Sequence, residues 1–316
     1  MSGRWYSLAV GSLLSLLGML GSRAQPIAIP IPNGSFESPA TPYVSTFIDA
    51  WQETPKPADY MEGGGFTWDQ LTGLFVNTQP GAADHVGNLD GRQAAYLFAV
   101  PGTGWFQDHD SVDWHNQPPT HALAARFEVG TAYDLSFGVI AGGGNMLEGV
   151  SFEAALYYRD AATNMVTVAA TNVVYTHDVF PVDDLGRPIR TNLTYFRLRL
   201  PVVMTNDLWA GQYLGLRFLS NVSPDLQGGY WDLDDVRLVA IPPPVFALGF
   251  SLTGTDLRLA WPSVMGYRYL VKVSEDLRTW SDDGVPQSGT GNELSQAVPL
   301  DAHPNAAFRV EATPEP

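Results

Sequence analysis

The sequence repeatedly alternates apolar and polar residues along short segments, and clusters of turn-forming residues separate these segments. In residues 195–200 (YFRLRL), apolar side chains alternate with Arg197 and Arg199. Successive side chains of a strand point to opposite faces, so this pattern predicts strands with one buried face. No segment after the N-terminal region keeps a helical period. The predicted strands cover residues 93–100, 132–141, 150–159, 165–176, 194–200, 213–220 and 230–240.

These strands predict an all-β fold, a β-sandwich jelly roll over residues 25–240. The Ile-Pro-Pro-Pro run at 241–244 cannot continue a hydrogen-bonded ladder, so it predicts a stiff linker over 241–248. Residues 249–316 contain further strand patterns, with Trp261, Tyr269 and Trp280 as candidates for a small core. A second, small β-sandwich domain of the immunoglobulin or fibronectin type is therefore expected there.

The first 24 residues are typical of a secretory signal peptide. Arg4 precedes an apolar stretch over residues 8–20, and Ser-Arg-Ala at 22–24 forms a small-x-small cleavage site before Gln25. The apolar stretch is shorter than the roughly 20 residues that a membrane-spanning helix needs. We therefore expect a secreted protein, extracellular, periplasmic or at the cell surface, with no transmembrane segment in its mature chain.

Composition excludes several classes of function. The net charge of −16 argues against nucleic acid as a partner, because phosphate binding requires a basic patch. The same charge is compatible with calcium and with neutral ligands such as glycans. The chain has no cysteine, which removes disulfides, thiolate metal sites and cysteine nucleophiles. It also lacks the common serine-hydrolase, zinc-protease, phosphate-loop and dinucleotide motifs, which counts against the commonest hydrolases and nucleotide-dependent enzymes.

Two motifs lie at opposite ends of the larger predicted domain: Asn-Gly-Ser-Phe-Glu-Ser-Pro at 33–39 and Asp-Leu-Asp-Asp-Val-Arg-Leu at 232–238. Between them come Trp51, the segment AAYLF at 94–98 and Gln107, followed by VGTAYDLSF. In this order the motifs resemble the galactose-binding-like β-jelly rolls, in particular secreted carbohydrate-binding modules, over residues 29–240. The resemblance implies a secreted, non-catalytic carbohydrate-binding protein whose partner is a glycan or a small molecule.

The resemblance also implies calcium, because such modules hold a structural calcium between the first motif and the last strand. The matching residues are Glu37 and one of Asp234 or Asp235. Calcium takes about six to eight oxygen ligands, and carboxylates from both chain ends would tie the first strand to the last. Strand alternation places Asp234 on the face of Val236 and Asp235 on the opposite face, so one carboxylate is expected to point inward. Alternatively, Asp235 pairs with Arg237 or solvent, and Asp234 caps a turn.

Aromatic residues in two loops are the candidates for ligand contacts. Tyr60 and Trp68 lie in a glycine-rich loop, and Trp105 and Trp114 lie in or beside a loop rich in aspartate and histidine. Exposed aromatic rings stack on sugar rings, so we predict that these four side chains bind the glycan. The alternative for Trp105 and Trp114 is burial at the rim of the sandwich. For Tyr60 and Trp68 the alternative is a flexible turn flanked by aromatic residues of the core.

A small group of calcium-dependent cyclases that make indole alkaloids shares the same fold and end motifs. In those enzymes an aspartate of the Asp-Asp-Val strand and a pocket tyrosine serve an acid-assisted rearrangement. The resemblance would assign these roles to Asp234 or Asp235 and to Tyr96. An aspartate kept protonated by an apolar pocket could donate a proton to an alkene or an ether oxygen. An acid-assisted cyclase or isomerase is therefore the alternative function, and a purely structural cell-surface protein is a third.

The C-terminal part, with Trp261, Tyr269 and Trp280 on its strand patterns, resembles the small appended β-modules of large secreted bacterial proteins. It contains no cluster of catalytic residue types. The resemblance implies a spacer or a contact with a cell-surface partner.

Overall fold

The structure is a computed structural model that describes residues 26–62, 65–111, 123–242, 248–265, 267–303 and 306–314. The chain divides into two compact units, Gln25–Pro243 and Pro244–Thr313. Apart from short 3₁₀ turns at Trp68–Gln70 and Pro224–Leu226, the regular structure in the described ranges consists of β-strands. The predicted all-β fold class is confirmed. No helix in these ranges is long and apolar enough to span a membrane, and the predicted signal peptide lies outside them.

The first sheet of the larger unit has seven strands, and its neighbouring strands run antiparallel. They are β1 (Ile27–Ile29), β2 (Val44–Ser45), β4 (Thr72–Val76), β5 (Gln93–Phe98), β7 (Ala132–Gly143), β10 (Thr194–Leu200) and β12 (Tyr230–Ile241). Their order is β10-β7-β12-β5-β4-β2, and the first strand of the chain, β1, also pairs with β12. The first and last strands of this unit therefore lie side by side, with Ile29 opposite Leu238.

The second sheet has five strands: β3 (Gln52–Glu53), β6 (Gly104–Gln107), β8 (Ser151–Arg159), β9 (Met165–Val174) and β11 (Gly215–Ser220). Their order is β3-β6-β11-β8-β9. The two sheets enclose one apolar core, with Trp51, Trp105, Phe137, Phe218 and Trp231 at its centre. This is the β-sandwich that the alternating pattern predicts.

The predicted strands agree closely with the observed ones, and the pattern at 194–200 shows why. Leu198 and Leu200 are buried, whereas Tyr195, Arg197 and Arg199 on the other face are exposed. The observed strand β10 has the predicted bounds, and the others differ from their predictions by a few residues at the ends. Burial of alternate side chains therefore determines the position of these strands along the sequence.

The smaller unit contains two three-stranded sheets, in the orders β13-β14-β17 and β16-β15-β18. Trp261, Tyr269 and Val271 are fully buried and form its core. Trp280, expected in this core, is only partly buried and lies under the guanidinium group of Arg309 at 4.2 Å. The strands are β13 (Gly249–Thr253), β14 (Asp256–Pro262), β15 (Tyr267–Ser274), β16 (Ser281–Ser288), β17 (Glu293–Pro299) and β18 (Ala307–Pro314).

Candidate functional site

The outer face of the seven-stranded sheet carries a row of side chains that alternate with the core. On β12, Trp231 and Leu233 point into the sandwich, so Asp232 between them points outward. Asp232 lies opposite Tyr96 of β5, and Tyr96 lies opposite Gly73 of β4. Cross-strand partners share a face, so these residues lie together on the outer surface of the sheet.

A cavity of about 840 Å³ lies over this row, and we call it the sheet-face pocket. Its polar lining includes Asp232, Arg190, Asn77 and Gln70. Aromatic side chains form about a third of its lining: Tyr43, Phe66, Phe75, Tyr96, Phe98 and Tyr230. The cavity has the size and the mixture of apolar and polar groups that are typical of small-molecule sites.

A buried ion pair lies at the floor of the pocket. Arg190 donates hydrogen bonds from Nη2 to Oδ2 of Asp232 and from Nη1 to the hydroxyl of Tyr230, the latter at 2.9 Å. Its guanidinium carbon lies 4.7 Å from the centre of the Tyr230 ring. Burial raises the pKa of Asp232 to about 6, and the positive charge of Arg190 opposes that rise. Arg190 and Asp232 therefore hold each other and the Tyr230 ring in place.

Tyr96 lies beside this pair on the pocket floor. Its ring meets Phe98 edge-on, with 5.9 Å between the ring centres. Burial raises the pKa of Tyr96 to about 12, and the negative charge of Glu53 adds to the rise. The phenol is therefore neutral at physiological pH and can donate a hydrogen bond to a bound molecule.

The two adjacent aspartates of β12 do not alternate as a regular strand would. The pairing of β12 with β7 is irregular between Asp234 and Arg237, and Asp235 has a positive φ of 53°. This β-bulge shifts the alternation, so Leu233 and Val236 both reach the core. The predicted grouping of Asp234 with Val236 on one face is therefore wrong.

Asp234 is fully buried, and only one of its oxygens is paired. Oδ2 accepts a hydrogen bond from the backbone N–H of Asp90 at 2.6 Å, whereas Oδ1 has no partner in the described ranges. Burial raises the pKa of Asp234 to about 8, although backbone N–H groups of Asp235 and Asp90 oppose the rise. Such an oxygen requires a proton or a cation to offset the loss of water.

Asp235 has different partners. It accepts hydrogen bonds from Arg237 and from the Tyr195 hydroxyl, the latter at 3.0 Å. Arg237 also pairs with Asp90. The alternative in which Asp235 pairs with Arg237 therefore describes this side chain, and the assignment of Asp235 to a calcium site with Glu37 is not supported by these contacts.

Glu37 and Asp234 contact the same short turn. Oε1 of Glu37 accepts hydrogen bonds from the backbone N–H groups of Arg92 and Gln93, each at 2.7 Å, next to the Asp90 N–H that binds Asp234. The two motifs at the ends of the domain thus converge on residues 90–93. Within the described ranges, however, no group of three or more acidic or histidine side chains is arranged to hold a metal ion.

The aromatic residues predicted to bind a glycan lie elsewhere. Trp105 belongs to the core and Trp68 is buried, with its ring N–H donated to the carbonyl of Thr54 at 2.8 Å. Their predicted exposure is wrong, because both rings pack inside the domain. Tyr60 is partly buried and packs edge-on against Trp68. Trp114 lies outside the described residues.

Two residues of the pocket floor escaped the sequence analysis. Asp232 precedes Asp234 by two positions in an alternating strand, so the spacing alone could have placed it on the outer face. Arg190 lies in the long connection between β9 and β10, where no period links it to a face. Tyr96, predicted from its place in AAYLF, does line the pocket, but the aspartate opposite it is Asp232 and not Asp234 or Asp235.

Comparison with known proteins gives similarity only to solved structures. No protein-family model matches the chain, and no curated protein matches it. A Stig cyclase, Fisc from Fischerella sp. TAU, solved with (3Z)-3-(1-methyl-2-pyrrolidinylidene)-3H-indole, is 22% identical with a TM-score of 0.46, over 69% of this chain and 100% of that one. The CBM22-1 xylan-binding domain of Paenibacillus barcinonensis Xyn10C is 12% identical with a TM-score of 0.32, over 63% of this chain and 92% of that one. These neighbours have β-jelly-roll folds.

Proposed function

We propose that the sheet-face pocket binds a small organic molecule with a mainly apolar body and one polar group. The observation that carries this proposal is the buried Asp232–Arg190 pair at the floor of a cavity with aromatic walls. Burying a charged pair costs free energy unless further hydrogen bonds satisfy its remaining donors and acceptors. In this cavity a ligand group that donates to the carboxylate, or accepts from the guanidinium, would complete its hydrogen bonding.

The pocket favours an apolar molecule over a glycan chain. Sugar binding requires many directional hydrogen bonds, whereas aromatic and aliphatic side chains make up more than half of the lining here, with Phe66, Phe75 and Phe98 among them. Water released from such walls supplies most of the binding free energy, and the few polar groups orient the ligand. Carbohydrate binding, the function expected from the sequence, is therefore the competing hypothesis in the binding experiment.

Titration calorimetry with 2-naphthol tests this proposal. At about 0.5 kcal/mol for each non-hydrogen atom, this probe should bind with a Kd of about 100 µM. Tyr96→Ala removes a pocket wall and should weaken binding about tenfold. Tyr195→Ala removes an exposed tyrosine of the same sheet that does not line the pocket, and it should leave the Kd unchanged.

Xylohexaose provides the glycan arm of the same experiment. Saturable binding of xylohexaose without binding of 2-naphthol would overturn the proposal in favour of a glycan-binding module. Binding of 2-naphthol that both tyrosine variants leave unchanged would place the ligand outside the pocket, and would contradict it as well.

An acid-assisted cyclase or isomerase is the second candidate function. Supporting it, a carboxyl group and a neutral phenol, Asp232 and Tyr96, are cross-strand neighbours on the floor of an apolar cavity. Asp232 takes the acid role that the sequence analysis gave to Asp234 or Asp235. A proton from Asp232, available near and below its pKa of about 6, would go to an alkene carbon or an ether oxygen of the ligand, and the Tyr96 hydroxyl would orient that group.

Hydrolysis of 2-naphthyl vinyl ether measures this acid chemistry directly. The Asp232 proton adds to the terminal vinyl carbon, water adds to the resulting oxocarbenium carbon and returns a proton to Asp232, and the hemiacetal breaks down to 2-naphthol and acetaldehyde. Asp232→Asn should slow the reaction about a hundredfold, whereas Asp235→Asn should not change it. A rate equal to that in buffer, or one that Asp232→Asn leaves intact, would exclude the enzyme.

We further propose a secreted protein that binds calcium at Asp234 and Glu37. Two observations support calcium: the buried, unpartnered Oδ1 of Asp234, and the convergence of both carboxylates on residues 90–93. Bound calcium would neutralise the buried carboxylate and tie β12 to the turn before β5. Export through residues 1–24 is supported by the sequence pattern, and the mass of the exported chain would test it.

A further inference from the structure

Two glycines of the seven-stranded sheet lie directly under the two tyrosines of the pocket floor. A Cβ atom built on Gly73 would lie 2.5 Å from the hydroxyl oxygen of Tyr96, and one built on Gly143 would lie 2.6 Å from the ring of Tyr230. Contacts below about 3 Å are far inside van der Waals distance. The outer half of the Tyr96 ring therefore lies over Gly73, and the Tyr230 ring lies over Gly143.

The backbone does not require glycine at either position. Gly73 and Gly143 are absent from the residues with positive φ, whereas Gly142 and Gly144 have φ values of 81° and 62°. Both glycines lie within strands, where glycine is normally disfavoured because it weakens the strand. The space taken by the Tyr230 ring thus accounts for Gly143, whereas at Gly73 both the Tyr96 ring and the backbone carbonyl oxygen of Ser45 leave no room for a side chain.

The two rings lie in opposite directions across the sheet. Tyr96 of β5 extends over β4, away from β12, and Tyr230 of β12 extends over β7, away from β5. Asp232 lies between the two tyrosines, next to Tyr96 across the sheet and two residues from Tyr230 along β12. Arg190 then holds the displaced Tyr230 ring through its hydroxyl. This divergence leaves the Asp232 carboxyl group facing the cavity.

We infer that Gly73 and Gly143 determine the ligand specificity of the pocket, because they seat Tyr96 and Tyr230 apart and so open the floor above Asp232. A side chain at either glycine pushes a tyrosine ring into the cavity, so the cavity accepts only shorter ligands. The inference rests on the proposed function for its effect on binding, but the positions of the rings are independent of any ligand.

Gly143→Ala is the cleaner test, because the three nearest atoms to its new Cβ all belong to the Tyr230 ring. At Gly73, by contrast, the Cβ would also lie 2.2 Å from the backbone carbonyl oxygen of Ser45, so Gly73→Ala would disturb β2. Gly143→Ala should weaken the binding of 2-naphthol about tenfold. Gly87→Ala is the control: its Cβ would lie 3.5 Å from its nearest neighbour, beside the pocket residue Val86, and the Kd should not change.

A double-mutant cycle tests whether the effect acts through the ring. In a Tyr230→Leu background, Gly143→Ala should have no further effect on the Kd, because the displaced ring is gone. Equal effects of Gly143→Ala with and without the Tyr230 ring would overturn the inference.

Crystal structures of the wild type and Gly143→Ala separate this inference from the proposed function. The Tyr230 ring should move into the cavity in the variant even if the wild type binds no 2-naphthol, in which case only the proposed function fails. An unmoved Tyr230 ring would contradict the inference whatever the binding result.

Discussion

Replacing Arg190 by methionine is expected to lower the free energy of unfolding by about 3 kcal/mol at pH 7. The carboxyl group of Asp232 is almost fully buried and has Arg190 as its ion-pair partner. Removing the guanidinium leaves the buried carboxylate without its cation, or makes it take up a proton at a cost in free energy, and it also frees the Tyr230 hydroxyl. Urea unfolding followed by tryptophan fluorescence would measure the change.

Arg187→Met is the matched control for this experiment. Arg187 pairs with Asp183 in the same connection between β9 and β10, but its side chain is 72% exposed. Exposed pairs contribute about 0.5 kcal/mol or less, so this variant should unfold almost like the wild type. The double variant Arg190→Met/Asp232→Leu removes both charges and should recover most of the lost stability. A loss of the same size in the double variant would show that the buried charge is not the cause.

Adding calcium to chelator-treated protein is expected to increase its stability by about 2.7 kcal/mol when the free calcium concentration is one hundred times the Kd. The reason is that the ion binds the folded state, where Glu37 and Asp234 meet the same turn, and not the unfolded chain. Thermal unfolding with and without calcium, together with calorimetric titration, would measure the effect.

Variants of the adjacent residues Asp234 and Asp235 identify which aspartate binds calcium. Asp234→Asn should remove the response to calcium, because it removes the charge of a buried carboxylate whose Oδ1 has no hydrogen-bond partner within the described residues. Asp235→Asn should keep the response, since Asp235 pairs with Arg237 and Tyr195. No heat and no rise in melting temperature in the wild type would rule out the calcium site.

The strands and the fold class follow from the sequence because a sheet with one buried face alternates strictly. In β10 the exposed Arg197 and Arg199 on either side of the buried Leu198 place the strand without ambiguity. Alternation gave the wrong faces for Asp234 and Asp235, because a β-bulge interrupts the alternation of side chains at these residues. A bulge inserts one residue without changing composition, so the register after Asp234 could not be read from alternation.

The pocket floor was only partly predictable for a related reason. Tyr96 and Asp232 lie on strands whose faces the sequence predicts, and only their pairing across the sheet brings them together. Arg190 arrives from a loop, and loop residues carry no period that points to a partner. The burial of Trp68 and Trp105 could not be predicted from the sequence either, because tryptophan occurs both in cores and at exposed binding surfaces.

A crystal structure of the protein with bound 2-naphthol would locate the ligand directly. We expect the naphthalene ring within the sheet-face pocket, between the side chains of Tyr96, Phe98 and Tyr230, with its hydroxyl group facing the Asp232–Arg190 pair. A probe bound elsewhere on the domain, with the pocket occupied by water alone, would show that the sheet-face pocket is not the binding site.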